Sequence, residues 1–138
     1  MPSNSDVMLS VTLNKTTIPW SLHVDESNHP NYLSPGPNAQ FIVWTLMGEA
    51  ASGSFLPLQG SELGFAWAGA PSQHPHSGIF DVPFLSANNQ LKILDHHTGP
   101  GSAGTWTYTL RANIGGTVYV SLALSAAAQN SNPRIKNN

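Results

Sequence analysis

The chain has no cysteine. Disulfides and thiolate metal sites are excluded, and with them a blue-copper centre, which needs a Cys ligand. Charge is also scarce. Lys, Arg, Asp and Glu make up 9% of the 138 residues, against about 25% in an average domain. Five basic and seven acidic side chains leave a net charge of −2, so no basic field exists to attract nucleic acid. No apolar run approaches the ~20 residues of a membrane-spanning helix. Neither nucleic acid nor a membrane is an expected partner. The opening residues, Met1 to Asp6, have neither a basic nor an apolar stretch, so no secretory signal is read there. The expected location is cytoplasmic, with a signal removed from the chain left open. A P-loop, a G-x-G-x-x-G, a G-x-S-x-G elbow and paired-carboxylate spacing are all absent, and no catalytic residue is singled out.

What is present alternates. From Thr105 to Leu124 nearly every second residue is large and apolar: Trp106, Tyr108 and Leu110, then Val118, Val120, Leu122 and Leu124. Period two means strands with one buried face, and the Gly115-Gly116 pair supplies the reversal. The expected core face joins Trp106, Tyr108 and Leu110 to Val118, Val120 and Leu122. The same style opens the chain. Val7, Leu9, Val11 and Leu13 form one strand; Ile18, Trp20, Leu22 and Val24 form another, which Pro19 assigns to a sheet edge or a bulge. Phe41 to Leu46 is apolar on both faces and reads as a central strand. Short apolar runs follow at 55–58, 63–67, 79–85 and 91–94, with a turn at Ala87-Asn88-Asn89. Residues 48–53 hold at most one helical turn, and no 3.6-residue stripe is sustained anywhere. The reading is one all-β domain over residues 1–138, an antiparallel sandwich of eight or nine strands, immunoglobulin- or cupredoxin-like. Residues 1–6 and 126–138 are expected to be flexible or peripheral. A chain of this length buries a core without staples.

Ser, Thr, Asn, Gly and Pro carry the polarity. Such a neutral surface has weak colloidal repulsion. It suits packing against copies of itself, or binding a neutral polar ligand such as a carbohydrate. Uncharged edge strands invite pairing, so a homo-oligomer is expected. For a carbohydrate, Trp67 and Trp44 are the candidate stacking residues, while Trp20 and Trp106 fall in phase with core positions.

The histidines supply the alternative. His74-Pro75-His76 sets two imidazoles at i and i+2, on one side of an extended segment. Asp81 follows, and Asp95-His96-His97 ends a strand before Gly99-Pro100-Gly101. If the two segments are neighbours, these residues form a His- and carboxylate-ligated site for a divalent transition metal. The candidate ligands are His74, His76, His96, His97, Asp81 and Asp95. Adjacent residues on a strand point to opposite faces, so His96 and His97 do not both ligate without a bend. His23 and His29 read as surface residues.

Two resemblances bear on these readings. Gly104-Thr105-Trp106-Thr107-Tyr108-Thr109-Leu110, the hairpin, Tyr119 to Leu124 and the closing Asn132-Pro133-Arg134-Ile135-Lys136-Asn137-Asn138 resemble the end of small bacterial proteins called the DP-EP family. The resemblance covers about the last third of the chain. It implies a compact immunoglobulin- or cupredoxin-like sandwich and no assigned activity. This chain has Asn-Pro-Arg-Ile where the family name implies an acidic Asp-Pro-Glu pattern. Gly69, His74, His76 and Asp81 resemble the opening motif of cupins, with Asp in place of Glu, and no third-histidine motif follows His97. The expected role is a non-enzymatic binding or self-assembling module, the alternative a small cupin-like metalloprotein.

Overall fold

Strand β1, Val7–Asn14, buries Val7, Leu9 and Val11 and exposes Met8 between them, as period-two alternation requires. It belongs to a computed structural model that describes residues 7–16, 20–25, 40–60, 62–67, 74–75, 78–96, 104–121 and 134–137. β1 pairs antiparallel with β2, Ser21–Val24, and parallel with β3, Gln40–Leu46, setting Leu9 beside Trp44. A parallel pair needs a long connection, and 25 residues, 15–39, with β2 among them, separate the two strands in sequence. β2 is the edge strand that Pro19 foretold. β3 is central, with Ile42, Val43 and Trp44 all buried.

The second sheet is organised around one long strand. β4, Ser54–Phe55, and β5, Phe65–Trp67, both pair with β8, Gly104–Ile114. The bonds Leu56 N to Arg111 O and Arg111 N to Gly64 O join them into one interrupted strand along a single edge of β8. Across the first sheet, β6, Phe84–Ala87, and β7, Gln90–Asp95, form a hairpin at Asn88-Asn89 that completes the order β2-β1-β3-β7-β6. On the other edge of β8 lie β9, Thr117–Val120, and β10, Arg134–Asn137. The fold is an all-β sandwich of two five-stranded sheets. It holds ten short strands among the described residues, rather than eight or nine. Its pairs are antiparallel except β1 with β3. An immunoglobulin sheet carries its first strand at the edge, whereas β1 here is internal. Residues Gly48–Ser52 make the single short 3-10 turn expected of that segment.

Two expectations are corrected. Residues 126–138 are not peripheral throughout: β10 pairs with the start of β8, and Ile135 is fully buried opposite Trp106. The hairpin phase is also reversed. Gly115 and Gly116, at φ 62° and 90°, form a two-residue turn that pairs Ile114 with Thr117. Tyr119 therefore lies opposite buried Ala112, and Val118 and Val120 fall on the outer face; Val118 is 40% exposed. A one-residue slip moves every side chain of a strand to the other face. Leu122 lies outside the described residues.

Between the sheets Trp44 and Tyr108 meet at 0% exposure, with Phe65 against both rings. One flank closes where Trp20 stacks on Tyr119, bringing β2 to β9. The other closes where the Asn88-Asn89 turn accepts bonds from Phe55 N and Leu46 N, both 2.9 Å. No helix among the described residues is long and apolar enough to cross a membrane.

Candidate functional site

Of the candidate ligands, Asp81 and His96 are brought together. Residues 79–81 lie against the end of β7: Asp81 N donates to Leu94 O at 3.0 Å and His96 N to Ile79 O at 2.7 Å. That register brings His96 Nε2 within 2.9 Å of Asp81 Oδ1, both side chains open to solvent. Asp95 is bridged to Phe80 and only 1% exposed, so it points to the opposite side of the strand from His96. His74 is half-buried. Among the described residues no group of three His, Asp or Glu side chains is set to hold one metal ion. His76 and His97 lie outside the described residues, as does His29, and His23 is exposed on β2.

The tryptophans offer little to a sugar. A stacking platform needs an open ring face, and Trp44 is fully buried, its Nε1 donating to Tyr108 Oη at 2.8 Å. Trp44 is therefore a core residue. Trp67 is half-buried with its ring between Phe65 and Phe80, at 5.0 Å centroid distance from each. Trp106 is core, as expected. Trp20, expected in the core, is 43% exposed; it stacks on Tyr119 and lies under Lys15 Nζ, 5.1 Å from the ring centroid.

Sequence reasoning missed the outer face of the β2-β1-β3-β7-β6 sheet. The registers Met8–Val43, Val43–Lys92 and Lys92–Phe84 lay one row across four strands. Phe41 and Leu94 pair in the next row, and Phe41 meets Phe84 edge to face at 6.0 Å. This face should be the wet one, yet Met8 and Phe84 on it are 47% and 44% exposed. Farther along, the same face turns polar: Gln90 donates to Thr45 Oγ1 at 3.2 Å and accepts from Ser86 Oγ at 2.7 Å. The signal was the two-faced run Phe41 to Leu46, which implies that something covers its second side.

The chain was compared with protein-family models, curated proteins and solved structures. None matches.

Proposed function

We propose that this sandwich is a non-enzymatic self-assembling module that associates with further copies through the outer face of its β2-β1-β3-β7-β6 sheet. The observation that carries the reading is the exposure of Met8 and Phe84, at 47% and 44%, at the two ends of the cross-strand row Met8–Val43–Lys92–Phe84, with Phe41 and Leu94 in the next row. Large apolar side chains left exposed on one sheet face of a small domain suit an interaction site. A chain with so few charges raises little barrier to meeting itself. Edge-to-edge addition at β6 is disfavoured, because β6 is four residues long, carries an irregularity between Leu85 and Ala87, and follows Pro83. On that side of the sheet the face is favoured over the β6 edge. Light scattering at micromolar concentration tests it: Met8→Lys and Phe84→Lys lower the measured mass, while Val118→Lys, on the other sheet, leaves it unchanged. Equal masses for all three would refute the assignment of the face.

A second reading, transition-metal binding, is favoured by the Asp81–His96 pair at 2.9 Å. Metal analysis of protein purified without an affinity tag tests it, and no bound metal with no rise in melting temperature on adding Zn²⁺ removes it. Relatedness to the DP-EP family is likewise proposed, on the closing third of the chain alone.

A further inference from the structure

We infer that association is a closed two-fold dimer, in which Lys92 of each copy is set against Asp81 of the other across the apolar face. This rests on the self-association reading above and names its geometry and partner. In a two-fold contact the same surface serves both copies, residue i meeting j while j meets i. A patch bearing charge of one sign only would repel its own copy. This patch bears both signs at separate places. Lys92 sits in the row with Val43 and Phe84, its Nζ 5.7 Å from the Phe41 ring centroid. Asp81 sits one row away, its N–H bonded to Leu94 O, with His96 at 2.9 Å.

Rotation by a half turn exchanges the two positions, so the face is its own electrostatic complement. Lys92 forms no ion pair among the described residues, in a chain with only five basic side chains. A two-fold contact uses the surface up, so assembly stops at two copies and does not propagate into a filament.

Charge reversal tests it, using sedimentation velocity of the full chain at low ionic strength. Lys92→Asp or Asp81→Lys alone sets like charges against each other and raises the dimer dissociation constant about tenfold or more. The double variant Lys92→Asp with Asp81→Lys restores the complement and recovers most of that loss. Where a reversal fails to fold, as judged by thermal unfolding, the neutral variants Lys92→Gln and Asp81→Asn give the same reading with a smaller weakening. Single variants that dimerise like the parent, or a double variant no tighter than either single, would overturn the Lys92–Asp81 pairing and leave self-association standing. A parent chain that stays monomeric throughout overturns both.

Discussion

The indole Nε1 of Trp44 donates a 2.8 Å hydrogen bond to the phenolic oxygen of Tyr108, and both residues are 0% exposed. Trp44 belongs to β3 of one sheet and Tyr108 to β8 of the other, so this bond ties the layers at the centre of the core. Removing the hydroxyl tests its contribution. Tyr108→Phe leaves a buried indole N–H without that partner and should cost about 1–3 kcal/mol in urea unfolding. Tyr108→Ala removes a ring packed on Trp44 and Phe65 as well and should cost about 3–5 kcal/mol. Equal stability of Tyr108→Phe and the parent would show that the hydroxyl contributes nothing net.

Ser121 closes β9 onto β8 with two contacts. Its Oγ accepts from Leu110 N at 2.7 Å, its N donates to Leu110 O at 2.9 Å, and it is 5% exposed. Ser121→Ala removes the side-chain acceptor and leaves a buried backbone N–H unpaired, an expected loss of about 1–3 kcal/mol by chemical denaturation. Ser121→Val should be no better, because no apolar group can accept that bond.

The phase of the hairpin makes its own prediction. Tyr119 is opposite buried Ala112 and stacks on Trp20, whereas Val118 is 40% exposed. Tyr119→Ala should destabilise by at least about 1 kcal/mol more than Val118→Ala, which should stay within about 0.5 kcal/mol of the parent. The reverse ranking by thermal unfolding would restore the phase expected from simple alternation.

A close approach fixes one glycine. A Cβ at Gly64 would lie 2.2 Å from the carbonyl oxygen of Leu56, where the interrupted edge strand rejoins β8. The obstacle is backbone and cannot rotate aside. Gly64→Ala should cost about 1–3 kcal/mol and accelerate amide exchange at Arg111, whose N–H bonds to Gly64 O. Unchanged exchange there would contradict the account of that junction.

Much of the fold was legible because alternation is a local property. β1, β3, β7 and most of β8 follow from runs whose period can be read directly, and the two-faced run Phe41 to Leu46 correctly marked the sheet centre. What failed depended on registers between distant segments. Two glycines fixed the pairing of Ile114 with Thr117 and so reversed the face of Val118. Ile135, a lone apolar residue between Arg134 and Lys136, carried too short a pattern to announce a buried strand. Trp20 kept the right phase but stands at a strand end, where phase no longer guarantees cover.

The candidate site was legible in the same partial way. Asp81 and His96 meet because residues 79–81 lie beside the end of β7, a register that spacing alone does not give. Asp95 dropped out by strand alternation, and Trp44 by sitting between two sheets. The apolar outer face was hidden because its members, Met8, Phe41, Phe84 and Leu94, come from four strands spread along the chain. Only the cross-strand registers assemble them.

The central claim, that the chain assembles with copies of itself, is tested most directly by sedimentation equilibrium of the unmodified protein over a range of micromolar concentrations. A mass that rises from that of one 14.7 kDa chain to twice that value and levels there is the predicted result. A mass of 14.7 kDa at every concentration would contradict it.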